Sequence, residues 1–240
     1  MPDATPQVER VPWSQIEEEF IAAWGTPNGK LEPEHLSIVG PTGSGKSMFQ
    51  SYVLKKRAEL RGSYVVIIAT KPADGTLKKM GWPIVNKWPP PWGKHEQVIY
   101  WPKIGKPTEG YKPMQVGIAQ MLNDLWVPES NRIVAFDEIA FVEKELRLEP
   151  IINRYWREAR ALGITIVAGT QRPRNVSRYM WSEPSWAVAF RPDDEDEARR
   201  VAEFLGSRRV YLPVLMGLNR HEFLLVRRRE REALISKLGT

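Results

Sequence analysis

The chain has 240 residues, 42% of them hydrophobic and 27% charged, with no cysteine and a formal net charge of +6. That size allows a sizeable α/β core; the missing cysteine excludes disulfides and thiolate metal sites, and no apolar run approaches the roughly 18 residues of a membrane span. The opening MPDATPQVERVPW lacks the charged and apolar regions of a signal peptide, so a cytoplasmic protein is expected. The positive charge suits a polyanionic partner and an ordinary basic protein equally, and His35, His95 and His221 are scattered without metal-ligand spacing.

In chain order, residues 1–12 are expected to be flexible. WSQIEEEFIAAWG predicts a helix capped by Ser14 and stopped by Gly25, with Ile16, Phe20, Ala23 and Trp24 on one face. A buried strand in EHLSIV runs into GPTGSGKS, and SMFQSYVLKKRAEL is the next helix, ending at Gly62. YVVIIA is a second strand without polar alternation, as in parallel sheets covered on both faces. From 71 to 113 the pattern breaks into a Trp/Pro-rich stretch, read as an insertion built on extended proline segments, with VIYW as a candidate short strand.

MQVGIAQMLNDLW predicts a helix, RIVAFDE a strand ending in two acids, and PIINRYWREARALG a helix with Pro150 in its first turn and Gly163 beyond its end. ITIVAGTQRP and WAVAF are further strands, DDEDEARRVAEFLG is a helix with an acidic start, and EFLLV is a last strand. Residues 227–240, opening on RRRERE, are expected to form a basic C-terminal helix. Strands alternating with helices imply one α/β domain over 1–240, a mostly parallel, doubly wound twisted sheet flanked by helices.

The loop fits G-x-x-x-x-G-K-[ST] in full, so Gly40, Pro41, Thr42, Gly43, Ser44, Gly45, Lys46, Ser47 and Met48 are candidates for holding ATP. Backbone amides must turn inward around a phosphate, which needs glycine at unusual dihedrals, and the helix behind the loop adds its positive N-terminal dipole. Lys46 would reach the outer phosphates, and Ser47 with Asp137 would hold Mg²⁺. Glu138, next to Asp137 at a strand's carboxyl end, suits a base that polarises the attacking water.

REARALGITIVAGTQRP resembles the FtsK/HerA superfamily of DNA-translocating and DNA-packaging ATPases: Arg160 on a helix, Gly163, the apolar ITIVA, then Thr170 to Pro173 after the Walker B acids. VIIATKPAD resembles that family's second strand and its lysine, here without the acid that often precedes it. The resemblance spans about 36 to 226 and implies a RecA-like P-loop NTPase in which Gln171 senses the γ-phosphate. It also implies a homo-oligomeric ring in which Arg160 or Arg157 serves the neighbour's nucleotide, although the series Arg154, Arg157, Arg160 could equally be a solvated face with an Arg154–Glu158 pair. Arg172, Arg174 and Arg178 are candidate contacts to double-stranded DNA; Trp82, Trp88 and Trp92 could stack on bases or pack on the domain.

Family size points to a viral or phage genome-packaging ATPase, with a capsid portal or vertex protein as a further partner and the host cytoplasm as its location. The alternatives are an FtsK/HerA-like ATPase of DNA transfer or processing, a secretion or virion-extrusion ATPase that moves protein, and a slow nucleotide-dependent switch.

Overall fold

The computed structural model describes residues 8–25, 34–60, 64–90, 96–105 and 109–239. Most of the N-terminal stretch, like Trp92 and His95, lies outside these. The first described elements are a short strand β1 (Glu9–Arg10) and helix α1 (Trp13–Gly25). Strand β2 (Leu36–Val39) and helix α2 (Lys46–Ala58) then flank the glycine loop, and β3 (Tyr64–Ile68) comes next.

The 71–113 stretch is more ordered than an extended insertion. It contains the short helix α3 (Gly75–Lys78) and strands β4 (Ile84–Val85) and β5 (Gln97–Tyr100), and α4 (Lys112–Leu125) begins at its end. Strands β5 and β4 extend the main sheet in parallel beyond β3, with Val98, Ile99 and Tyr100 buried, so apolar burial overrides the local Pro signal. The tryptophans pack on the body: Trp88 meets Tyr100 with ring centroids 5.8 Å apart and donates to Asp124 at 3.0 Å, and Trp82 is partly buried in the core.

Strand β6 (Arg132–Phe136) leads through a π-helical turn (Phe141–Glu145) to α5 (Glu149–Glu158). The single helix expected over PIINRYWREARALG ends early and tightens into a 3-10 turn (Ala159–Leu162), closed by Gly163 at φ +77 before β7 (Ile164–Thr170). After β7 come a 3-10 turn (Pro173–Asn175), α6 (Tyr179–Ser182), β8 (Trp186–Phe190), α7 (Glu195–Phe204) and α8 (Arg208–Met216). Helix α8 is not anticipated from the sequence.

The C-terminal helix is replaced by a hairpin, β9 (Phe223–Arg227) with β10 (Glu232–Ser236). The charged run makes the turn, with Arg231 at φ +58, and the residues after it pair back with Leu234 opposite Leu225 and Ile235 opposite Leu224. A ladder partner with apolar side chains wins over the helical leaning of Arg and Glu.

All ten strands form one sheet in the order β1-β10-β9-β8-β2-β7-β6-β3-β5-β4, parallel from β8 to β4, with β9 antiparallel to both its neighbours. Alternate residues face opposite sides of the sheet, each side packed with its own buried clusters. Val66, Ile68 and Phe136 face α4 and α5, whereas Val65, Ile67 and Ala135 face the aromatic cluster of α1 and α2 (Trp13, Phe20, Trp24, Phe49). Each large apolar side chain so buried contributes about 1.5–3 kcal/mol. Because β2 continues to β3 on one side and lies next to β8 on the other, the chain reverses its winding at β2, and the carboxyl edge there is where such sheets hold ligands.

Candidate nucleotide site

The four residues of β2 are buried, which fixes the strand end and delivers Gly40 to the carboxyl edge of the sheet. A Cβ on Gly40 would sit 2.7 Å from Phe190 Cβ, so only glycine lets the loop leave across β8. Gly45, at φ +108, turns the chain into α2 in a conformation that L side chains rarely adopt. Lys46 opens that helix and is buried at 4% exposure. Burial lowers its pKa, and the nearby Asp137 and Glu138 carboxylates offset part of that effect. Thr42 and Met48 are exposed on either side of the turn.

Asp137 directly succeeds β6 and is only 2% exposed. The Ser47 hydroxyl donates to its Oδ1 at 3.4 Å, and the Lys71 ammonium lies 2.7 Å from Oδ2. Asp74 holds the other side of Lys71 at 3.7 Å and is itself fixed as the cap of α3, accepting from the Thr76 and Leu77 amides. Burial works against the charge on Lys71, but the attraction of Asp137, Asp74 and Glu138 outweighs it and leaves the pKa raised. A hydroxyl and a carboxylate meeting at the start of a P-loop helix form the oxygen donor set that Mg²⁺ takes, and Lys71 shows that a cation is favoured there.

Glu138 reaches across to the end of β7. Its carboxylate accepts from the Thr170 hydroxyl at 2.8 Å and from the Gln171 amide at 3.1 Å. Burial pushes its pKa up, against the lowering effect of these hydrogen bonds and of Lys46. Gln171 in turn accepts from the Thr42 hydroxyl at 2.9 Å, so the loop, the catalytic candidate and the sensor candidate are in contact. Five residues after Glu138, Glu143 is 1% exposed and accepts from the Ser177 amide at 2.8 Å; burial raises its pKa to about 7.

The arginines fall into two groups. Arg172, Arg174 and Arg178 are exposed beyond the sensor, but Arg172 and Arg174 face Asp193, Asp196 and Glu197 across a cavity of about 550 Å³, and Arg178 stacks on Tyr179 at 5.3 Å. Arg160 lies at the amino end of β7, on the edge opposite the glycine loop, and is not outward-facing. It pairs with the buried carboxylate of Glu34 at 2.9 Å, where Arg229 approaches to 3.8 Å and Ser185 also donates. Arg157 is freer, resting over Tyr179 at 5.4 Å and reaching Glu158 at 3.6 Å. The Arg154–Glu158 pair forms at 2.9 Å.

Sequence reasoning misses His221 beside the loop and Glu143, a buried acid behind the site, and meets Lys71 only in part. Lys71 stands out in the sequence only as a family feature; a lysine just past a buried strand is the signal that places it at the carboxyl edge. His221, at φ +64, holds Nδ1 at 3.0 Å from the Ser44 carbonyl oxygen, which makes that nitrogen the donor. Its loop is pinned by Arg10, which binds Glu222 at 3.2 Å and the Gly217 carbonyl at 2.9 Å. Neither His221 nor Glu143 carries a local signal, since each acts on a segment distant in sequence.

No protein-family model matches the chain, and no curated protein matches it by sequence. Solved structures do match. The DNA-packaging ATPase B204 of Sulfolobus Turreted Icosahedral Virus superposes with a TM-score of 0.63 at 14% identity, over 86% of this chain and 98% of that one. The genome packaging NTPase B204 of Sulfolobus turreted icosahedral virus 2, solved with ATP-gammaS, gives 0.64 at 14% over 85% and 97%. VirB4 of Thermoanaerobacter pseudethanolicus gives 0.65 at 10% over 86% and 89%. The chain therefore shares the fold of these proteins, one mostly parallel sheet flanked by helices with a P-loop at its carboxyl edge.

Proposed function

We propose that the protein is an ATP hydrolase that drives double-stranded DNA, of the kind that packages a viral genome, working as a ring of identical subunits. The observation that carries this reading is the contact chain from Thr42 through Gln171 to Glu138, built at the carboxyl edge beside Ser47 and Asp137. The glycine loop would cradle the phosphates with its amides, and Lys46, already desolvated, would meet their negative charge. Ser47 and Asp137 would hold Mg²⁺, which neutralises charge on the phosphates when bound. Glu138, leaving Thr170 and Gln171, would take the proton of the attacking water, and Gln171 would report the state of the phosphate to the segment behind it.

DNA is favoured over a protein substrate by three exposed arginines directly after the sensor and by the full-length match to the packaging NTPases, of which 97% to 98% is covered. Such contacts would be independent of base sequence and weakened by salt. For the shared site, Arg157 stands ahead of Arg160, because Arg160 is already neutralised by Glu34.

The direct test is ATPase rate with and without duplex DNA at low salt. Stimulation supports the motor; a rate indifferent to duplex would sink it in favour of a protein-moving ATPase. Glu138→Gln should bind ATP and hydrolyse it at least about a hundredfold more slowly. Mixing that variant with Arg157→Ala should restore part of the activity, since a mixed ring contains sites with both groups intact; no recovery at any ratio would count against a pocket completed by a neighbour.

A further inference from the structure

The segment leaving β7 is fastened at its two ends by two carboxylates from one stretch of chain. Glu138 holds the near end through Thr170 and Gln171, and Glu143 holds the far end through the Ser177 amide. The π-helical turn makes this possible. Its i to i+5 bond, from the Leu146 amide to the Phe141 carbonyl at 3.1 Å, rephases the chain so that a buried acid and a catalytic one reach the same segment.

Between those two points the segment has space on both sides. The cavity of about 550 Å³ lies on the Thr42 and Asp193 side. A second, of about 300 Å³, lies between the segment and the π turn and is lined by Glu138, Phe141, Lys144, Gln171, Arg172 and Asn175. Of residues 172–175 only Pro173 is buried. The two ends differ in anchorage. Ser177 is buried just before α6 and tied to its first turn, its carbonyl accepting from the Met180 amide at 3.2 Å and its hydroxyl from the Tyr179 amide at 3.2 Å. At the near end Thr170 stays in the β7 ladder, its carbonyl accepting from the Gly40 amide at 3.2 Å, and the first residue free to move is Gln171, whose amide is held by Glu138, the group that hydrolysis would engage.

We propose that Glu143 is a positioning residue that fixes Ser177 as a pivot, so that release of Glu138 at the near end swings Arg172 and Arg174 while the far end stays in place. This deepens, and rests on, the reading of the protein as a DNA motor. A buried acceptor is suited to the task because losing it would leave the Ser177 amide unsatisfied in the interior, a cost that keeps the far end closed through the cycle.

The experiment compares Glu143→Ala, Glu143→Gln and the unmodified protein by amide hydrogen exchange and by ATPase rate, with Ser177→Pro as a variant that removes the donor and leaves the acid in place. With Mg²⁺ and ATP-gammaS, the amides of Gln171 and Arg172 should exchange faster in the unmodified protein while that of Ser177 stays protected. Glu143→Ala should expose the Ser177 amide, keep basal ATPase within about twofold, and lose about fivefold or more of the stimulation by duplex DNA. Ser177→Pro should show the same loss of stimulation, and Glu143→Gln, which retains an acceptor oxygen, should keep most of it.

Stimulation unchanged in Glu143→Ala despite an exposed Ser177 amide would overturn the proposal, as would equal loss in Glu143→Gln. If duplex DNA fails to stimulate even the unmodified protein, the motor reading falls by itself. The pivot is then decided by exchange alone: a near end that loosens with nucleotide while Ser177 holds supports it, and both ends moving together, or neither, refutes it.

Discussion

The two edges of the same sheet treat buried charge in opposite ways. At the amino edge, Glu34 is buried and met by Arg160, Arg229 and Ser185, while His35 accepts from the Ile166 amide at 3.0 Å as a neutral ring; the buried carboxylate there has its partners within the chain. At the carboxyl edge, Lys46, Lys71, Asp137 and Glu138 crowd together, Glu138 lining a cavity, and Lys46 and Glu138 are both shifted against their charged forms. A buried acid with its partners in place is what stability alone would select. Desolvated groups with shifted pKa values cluster at functional sites.

The largest effect that tests this contrast is at Lys46. Lys46→Ala should lower ATP turnover by about a hundredfold or more, the scale of removing one preorganised charge-stabilising group. Its melting temperature should stay close to that of the unmodified protein, because Lys46 is buried and desolvated against its charged form. A large fall in melting temperature would show that the carboxyl edge holds the fold together as the amino edge does, and the contrast would fail.

At the opposite edge the signature should reverse. Arg160→Ala should cost about 1–3 kcal/mol of stability, less than a fully buried pair because a third of the arginine side chain is exposed. Chemical denaturation measures it. Once folded, the variant should retain turnover per ATPase-competent molecule. Normal stability with lost hydrolysis would return Arg160 to the role of a group lent to the neighbouring subunit.

How much of this is legible in the sequence depends on the reach of the physics involved. The glycine loop, the acids after β6 and Gln171 after β7 can be read because each is local: a buried strand ends, and the next residues must stand at the sheet edge. Strands β8 and β9 are legible for the same reason, as short apolar runs between turns. The rest is decided by partners far along the chain. Arg228 to Arg231 has the composition of a helix, yet β10 is set by the ladder it completes on β9 and by β1 pairing on its other side. Arg160 reads as free because its partner, Glu34, is 126 residues away. Glu143 looks like one more surface acid in FVEKE; only the π turn puts it inside.

The smallest effect, and the sharpest probe of the two edges, is their pH dependence. Burial and the Arg160 charge lower the His35 pKa from 6.5 to about 3, so between those values the unfolded chain holds a proton that the folded chain lacks, and stability falls as pH falls. Glu143 runs the other way: burial raises it from 4.5 to about 7, so the folded chain holds the extra proton, and stability is lost as pH rises through that window. Between 4.5 and 6.5 the two slopes oppose each other, and their joint contribution is nearly flat. Each substitution should therefore uncover the other edge. In His35→Asn, which keeps an acceptor for Ile166, stability should decline towards neutral pH by up to about 1.4 kcal/mol per unit; in Glu143→Gln it should climb by a similar amount. Urea midpoints at two pH values inside the window measure both. Two variants that track the unmodified protein would mean that neither group is as desolvated as its place in the fold requires.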